Sequence, residues 1–352
     1  MADLKLDSHK LIYHPERVAE WLREGDIYPI EIEISPAGAC NHRCTFCAVD
    51  YVGYRSNFLQ KELILPTIRF LAEHGLKSVI CSGEGEPLLN KDLPEIVHTI
   101  KSYGVDVAMS SNGVLLTREI VDACLADFTW IRFSIASMEE TAYAKIHRTR
   151  PEDLARVREN IAYAVSYKNK NGLKTTLGVQ CILIQDNLHS ILEQARELRE
   201  IGVDYFTVKP YSQHLHSKNK MEVDYEALLS IEEPLKALET ETFKIYFRAT
   251  AMKKMHHEKP YKDCLGLPFM THIDATGEIW PCIAHLGTEG MSYGNINEHS
   301  FAEIWNGEER QTVIERIRRA GVNRICRDAC RLDEINKYLH ELKHPSEHVN
   351  FI

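Results

Sequence analysis

Apolar and polar positions alternate in two rhythms along the first 210 residues. Ile30-Glu31-Ile32-Glu33-Ile34 repeats every second residue, which predicts a strand. An apolar stripe at helical spacing follows over 62–74 and stops at Gly75, a C-terminal helix signal. The alternation then recurs. Strand 77–81, helix 93–103, strand 105–110, a helix from Thr117, strand 129–134, a long helix over 151–169, strand 174–184, helix 188–201 and strand 203–209 follow in order. That makes six β/α units. Strands separated by helices of this length pair in parallel with right-handed crossovers, as a doubly wound sheet or a partial barrel. In either architecture the functional loops lie at the C-terminal ends of the strands.

Outside this repeat the pattern changes. Residues 17–23 predict a short helix with Val18, Trp21 and Leu22 on one side. A helix is expected over 225–238 and a strand over 243–248. From about residue 260, Ala275-Thr276-Gly277 between two apolar runs predicts a hairpin, followed by one helix over 300–317 and a last one over 332–342. The expected domains are a lead-in over 1–26, an α/β unit over 27–240 and a smaller α+β unit over 241–352.

The strand ends carry the chemistry. After the first strand comes Cys40-Asn41-His42-Arg43-Cys44-Thr45-Phe46-Cys47, a C-x3-C-x2-C set. Three thiolates are one ligand short of closing tetrahedral zinc or a four-iron cluster. The same spacing also suits structural zinc with His42 or a distant residue as fourth ligand. After the second strand comes Ser82-Gly83-Glu84-Gly85-Glu86-Pro87; after the third, Ser110-Ser111-Asn112; the fourth ends on Ser134. A second set, Cys264, Cys282, Cys326 and Cys330, makes a closed four-thiolate site for zinc or a four-iron cluster. Cys81, Cys124 and Cys181 remain. Cys124 reads as a core residue, whereas Cys81 and Cys181 on strands are candidate hydrogen-atom donors if they face the interior.

Composition changes the picture little. The 352 residues are 44% hydrophobic and 26% charged, ordinary for a globular chain. A net charge of −9 argues against an extended nucleic-acid surface. No apolar run approaches a membrane span and the N-terminus has no secretory h-region, so the expected location is cytoplasmic. Ten cysteines there point to metal or catalysis rather than disulfides.

The three-cysteine loop after the first strand, with the Gly-Glu-Pro loop after the second, resembles the radical S-adenosylmethionine (SAM) superfamily across residues 27–210. The resemblance implies a partial (β/α)6 barrel. Cys40, Cys44 and Cys47 would hold a [4Fe–4S] cluster whose open iron is chelated by SAM. Reductive cleavage of SAM would then give a 5′-deoxyadenosyl radical that takes a hydrogen atom from substrate. Phe46 matches the aromatic position associated with adenine. Gly83, Glu84, Gly85 and Glu86 fall on the motif that meets the SAM ammonium, although Glu84 stands where the family has glycine. Ser110, Asn112 and Ser134 resemble the polar positions for ribose and carboxylate, and Arg148 a basic position after the fourth strand. The C-x12-G-x4-C spacing from Cys264 to Cys282, with Tyr293-Gly294-Asn295-Ile296 and Trp305, resembles the twitch/SPASM extension. Four cysteines there suggest the shorter form, with one auxiliary [4Fe–4S] cluster.

The function expected from this resemblance is oxidation or epimerisation of a sugar-like or other small hydroxylated molecule, with flavodoxin or ferredoxin as electron donor. Peptide modification is the alternative, which the short lead-in and the Ile283 after Cys282 disfavour. Gln180, Lys209, Tyr211 and Arg248 are candidate substrate residues.

Overall fold

A computed structural model describes residues 8–255 and 257–351. The lead-in is thus described from residue 8 onward. Its helix α1 (Pro15–Glu24) buries Val18 and Trp21 and leaves Leu22 exposed.

Parallel strands and helices then alternate as the hydrophobic rhythm requires. They run β1 (Glu31–Ile34), α2 (Lys61–Glu73), β2 (Ser78–Cys81), α3 (Leu93–Ser102), β3 (Asp106–Ser111), α4 (Arg118–Cys124) and β4 (Phe128–Ser134). Two helices follow, α5 (Glu140–His147) and α6 (Glu152–Lys170), then β5 (Thr176–Leu183), α7 (Ile191–Ile201) and β6 (Tyr205–Pro210). The unpredicted α5 has only eight residues and ends on Arg148 in a left-handed conformation (φ 47°), without the glycine that would have marked its end.

The remaining elements are α8 (Glu232–Lys236), β7 (Lys244–Phe247), α9 (Ala249–Lys253), β8 (Met270–Ile273), β9 (Glu278–Trp280), β10 (Gly294–Asn295), α10 (Phe301–Asn306), α11 (Glu308–Ala320), α12 (Val322–Ile325) and α13 (Asp333–Lys343). The helix expected over 225–238 shrinks to α8 because Pro234, lacking an N–H, fits only in a first turn. The one expected over 300–317 is two. Ser300 and Glu303 cap α10 reciprocally, and Gly307, in extended conformation, separates it from α11.

All ten strands belong to one open sheet in the order β10-β9-β8-β1-β2-β3-β4-β5-β6-β7. The six β/α units form the partial barrel. Two further strands extend it: β7 pairs parallel with β6, and β8 returns to pair parallel with β1 on the other side. The sheet therefore runs on past residue 240 into the segment expected as the smaller α+β unit. The β8–β9–β10 hairpins are antiparallel.

Parity along the strands divides the core. Ile32, Ile34, Val79, Met109, Ile131, Phe133, Val179 and Val208 are fully buried on the face packed by helices. The opposite face carries Glu33, Ser110, Arg132, Gln180, Thr207 and Lys209. Among the described residues no helix is long and apolar enough to cross a membrane.

Candidate active site

The loop from Ser35 to Gln60 is fastened at several points. Asn90 donates from Nδ2 to Pro36 O (2.8 Å) and Leu59 O (2.9 Å), closing its two ends. Glu86 N donates to Ala39 O at 2.8 Å, just before the first cysteine. Arg43 N and Thr45 N donate to His147 O (3.1 Å) and Ile146 O (2.8 Å) at the end of α5. Cys40, Cys44 and Cys47 are thus presented as free, half-buried thiols at the C-terminal end of β1. Burial pushes all three pKa values up. Cys40 rises to about 12, with Glu86 as the second cause, and Cys44 well above its ordinary value, with Cys47 and Cys40 as further causes. Thiols held this way lose their protons only to a cation that replaces them.

His147 lies against this set. It is fully buried, and its Nε2 accepts the backbone N–H of Ala136 at 3.0 Å. The remaining proton of the neutral ring is therefore on Nδ1, 3.3 Å from Cys44 Sγ, where it donates to sulfur. Phe46 packs edge-on to the same imidazole with centroids 5.3 Å apart. The residue that reaches the thiols here is His147, next to the Arg148 to which the resemblance gives a basic position. Arg148 itself is exposed and serves as the left-handed cap of α5. Nothing in local sequence marked His147; only the fold of α5 onto the cysteine loop does.

The Gly-Glu loop packs directly under the cysteine loop. A Cβ on Gly85 would lie 2.2 Å from the carbonyl oxygens of Ala37 and Ala39, and Gly83 has φ 104°. Gly85 is demanded by this contact, and Gly83 by its left-handed backbone against Ser35. Glu86 is buried and accepts from Leu88 N (3.2 Å), Ser111 Oγ (2.7 Å) and Asn112 N (2.7 Å). Its carboxylate latches β2 to β3, with little lone-pair capacity left for a ligand. Glu84 turns the other way and accepts from Ala275 N at 3.0 Å, beyond β8. Burial, then Asp274, pushes its carboxyl up to about 7. Glu84 also lines a cavity of about 340 Å³ with Arg55, Asp274, Glu278 and Trp280.

Of the strand-end polar residues, Asn112 donates from Nδ2 to Asn41 Oδ1 at 2.6 Å and so reaches the cysteine loop. Ser110 accepts from Arg132 Nη2 at 2.8 Å and faces the barrel interior. Ser134 pairs in register with Gln180 on the same interior face. Cys81 and Cys181 do not face it. Cys81 aligns with Ile34 and Met109, and Cys181 with Val208, all on the helix-packed face. Cys181 Sγ accepts from Asn187 Nδ2 at 3.3 Å in that layer. The strand period of two turns both thiols away from the interior, because Ile80 and Gln180, one residue earlier, take the inner positions. Tyr211 is buried, its hydroxyl donating to Asn219 O at 3.1 Å. Lys209 is half-buried on the interior face, and Arg248 begins α9, its N–H donating to Val208 O at 2.9 Å.

The second cysteine set flanks the β8–β9 hairpin: Cys264 precedes β8 and Cys282 follows the antiparallel β9, so both leave the sheet on the side where β1 begins, whereas Cys40, Cys44 and Cys47 follow its C-terminal end. Cys264, Cys282, Cys326 and Cys330 are free and half-buried. The other three each act electrostatically on Cys264, whose pKa burial already drives well above its ordinary value. Asn336 Nδ2 lies 3.5 Å from Cys264 Sγ, and Leu332 N donates to Cys330 Sγ at 3.4 Å. The segment is tied back to β1 by Arg331, which pairs with Glu33 at 3.0 Å and with Glu31. Tyr51, four residues after Cys47, donates to Leu286 O at 2.7 Å.

The donor spacing fits clusters better than single ions. Among the described residues, the one metal-capable group whose atoms all lie within 4.8 Å of each other is His42, Cys44 and His147, so neither complete thiol set is that tight. Thiolates sharing one zinc, at about 2.3 Å each, would sit roughly 3.8 Å apart. A four-iron cube spreads its ligands wider.

Comparison with known proteins agrees. Residues 34–183 match the model of the radical SAM superfamily, and residues 264–331 that of the SPASM iron–sulfur cluster-binding domain. The chain belongs to the radical SAM superfamily and carries a C-terminal SPASM domain. Its cofactors are accordingly SAM, a [4Fe–4S] cluster and auxiliary iron–sulfur chemistry.

The chain is 26% identical over 313 residues to the tungsten-containing aldehyde ferredoxin oxidoreductase cofactor-modifying protein of Pyrococcus furiosus, covering 83% of this chain and 86% of that one. It is 29% identical over 167 residues to an S-adenosylmethionine-dependent nucleotide dehydratase of Lacinutrix mariniflava, but spans only 35% of that protein's length and 46% of its own. In fold it is similar to Streptococcus suis SuiB bound to S-adenosylmethionine. The TM-score there is 0.68 at 19% identity, covering 96% of this chain and 79% of SuiB.

Proposed function

We propose that this radical SAM enzyme removes a hydrogen atom from a small hydroxylated molecule held in the barrel interior, and that the outcome is oxidation. The observation that carries this reading is the presence of two thiol sets on one barrel, one following β1 and the other flanking the β8–β9 hairpin paired to it. One is open, Cys40, Cys44 and Cys47; the other closed, Cys264, Cys282, Cys326 and Cys330. Bound there, the cluster and SAM supply an electron and a 5′-deoxyadenosyl radical.

The chain's own residues do the rest. Cys40, Cys44 and Cys47 leave one ligand position for SAM. His147 donates to Cys44 and holds it. Phe46 offers a ring to adenine, and Ser134 and Gln180 line the interior below. A substrate alcohol that loses a hydrogen atom from carbon becomes a carbonyl by losing one more proton and one electron. The four-thiolate site near the interior suits it to receive that electron. Returning a hydrogen atom instead, as epimerisation requires, needs a donor facing the interior, and the placement of Cys81 and Cys181 gives no support to either thiol. The names of both relatives above, one modifying a cofactor and one dehydrating a nucleotide, favour small molecules over peptides.

The test is anaerobic turnover in deuterated water with SAM, dithionite and a panel of sugar alcohols, sugar phosphates and nucleotides. A substrate should raise 5′-deoxyadenosine formation and yield a product two mass units lighter, free of solvent deuterium. Deuterium incorporated at constant composition, or turnover on peptides alone, contradicts the proposal.

A further inference from the structure

The concave face of the barrel gathers more positive charge than its own carboxylates balance. Arg132 of β4 and Lys209 of β6 both project from inner positions, since Arg132 aligns with Ser110 and Gly178, and Lys209 with Ile182 two residues beyond Gln180. Arg327 and Arg331 approach from the auxiliary segment, and Arg248 stands at the end of β7. All four guanidiniums act electrostatically on Lys209. Burial first, and then these charges, hold its ammonium well below the usual lysine range. The inner carboxylates of β1, Glu31 and Glu33, are both taken by Arg331. Among the described residues no carboxylate pairs with Lys209, Arg132 or Arg327, and Lys209 Nζ has no hydrogen-bond partner.

The same region leaves other polar groups unmatched. Arg132 Nε and Thr207 Oγ1 are buried without a hydrogen-bond partner. Arg132 makes one hydrogen bond among the described residues, from Nη2 to Ser110 at 2.8 Å, and its guanidinium lies 5.2 Å from the Trp130 ring centre, so the rest of its donors have no acceptor. Beside it, position 178 must be glycine, because a Cβ there would strike the Tyr205 ring at 2.1 Å. Tyr205 thus lies across β5 next to the guanidinium. Unpaired buried donors and cations are costly, and a fold retains them where a bound partner repays the cost.

We propose that this interior is an anion anchor that takes a phosphate group of a small-molecule substrate, bound among Lys209, Arg132 and Arg327. Two guanidiniums without carboxylate partners, beside an amine that a bound phosphate would favour in its protonated form, match a dianion better than a single carboxylate. A guanidinium fork accepts two phosphate oxygens at once, with Lys209 acting as a point charge. Arg327, between Cys326 and Cys330 in sequence, ties the anchor to the auxiliary site. The inference deepens the function proposed above and rests on it, because only in a radical SAM enzyme does a molecule anchored here become the one that is oxidised.

The probes are inorganic phosphate and pyrophosphate, titrated calorimetrically into the anaerobically reconstituted full chain, with acetate as the monovalent control. Phosphate should bind once per chain, about tenfold or more tighter than acetate. Lys209→Met and Arg132→Gln should each weaken it about tenfold or more. Without phosphate, Lys209→Met should melt at or above the wild-type temperature, since it removes a half-buried amine that no hydrogen bond or carboxylate satisfies. Lost binding then cannot be lost folding. Phosphate binding no tighter than acetate, or undiminished in Lys209→Met, overturns the anchor. SAM cleavage by the same wild-type preparation is scored separately. Cleavage without phosphate binding sinks the anchor alone, and phosphate binding without cleavage sinks the enzymatic reading.

Discussion

At the scale of single residues, the centre is shaped by side chains around the cysteines as much as by the thiols. His147 is the clearest case. Ala136 fixes its tautomer, and the tautomer obliges Nδ1 to donate to Cys44 Sγ. Hydrogen bonds to cluster sulfurs stabilise the reduced, more negative state and raise the potential. Replacing His147 by Phe should therefore lower the midpoint of the three-cysteine cluster. A shift of about 40 mV corresponds to roughly 1 kcal/mol for one electron. Potentiometric EPR titration reads it directly; an unchanged or higher midpoint would show that the imidazole does not donate. The cysteines themselves were legible from spacing alone. His147 was not, because its role depends on α5 folding back over the loop, and sequence placed the basic residue of that region at Arg148, which faces solvent. Cys81 and Cys181 were half legible. Their strands were evident, but which face they took follows from register across neighbouring strands.

At the scale of elements, the β/α rhythm was strong enough to place six units, and the glycine-rich loop after β2 announced itself by composition. What the loop does was hidden. Glu86 latches β2 to β3 through three donors, while Glu84 reaches Ala275 and so couples the loop to the β8–β9 hairpin. The Glu84 coupling has a pH signature. Its carboxyl rises from 4.5 to about 7 in the folded chain. A folded pKa above the unfolded one means stability that is full below pH 4.5 and lost as pH rises through 7. Glu84→Gln keeps an acceptor for Ala275 N and removes the titration. The variant should gain on wild type between pH 5 and pH 8, by at most roughly 3 kcal/mol. Denaturant melts of both proteins at the two pH values measure this, and a constant difference would mean that Glu84 stays ionised throughout. The helices misjudged from sequence share a cause of the same kind. Pro234 and Gly307 act by their position within a turn, which periodicity does not resolve.

At the scale of the whole molecule, the decisive feature is a contact between distant parts of the chain. β8 pairs with β1 across some 240 positions, in the register Glu31 to Met270 and Ile34 to Ile273. Cys40, Cys44 and Cys47 follow the C-terminal end of β1, and that pairing sets Cys264 and Cys282 toward its N-terminal end. The Arg331 pairs with Glu31 and Glu33 then bring Cys330 to the same place. No local signal encodes such a pairing, and the sheet runs through residue 240, the expected bound between the two units. The functional consequence is one chamber with an open centre on one side and a closed one on the other.

That arrangement is tested most directly by iron content and SAM cleavage measured on the same anaerobically reconstituted samples. Wild type should hold about eight irons per chain, four for each cluster, and convert SAM to 5′-deoxyadenosine under dithionite. The Cys40→Ala, Cys44→Ala, Cys47→Ala triple variant should keep about four irons, those of the Cys264, Cys282, Cys326 and Cys330 site, and form no 5′-deoxyadenosine. A triple variant that still cleaves SAM, or a wild type that binds no more than about four irons, would contradict the two-centre account.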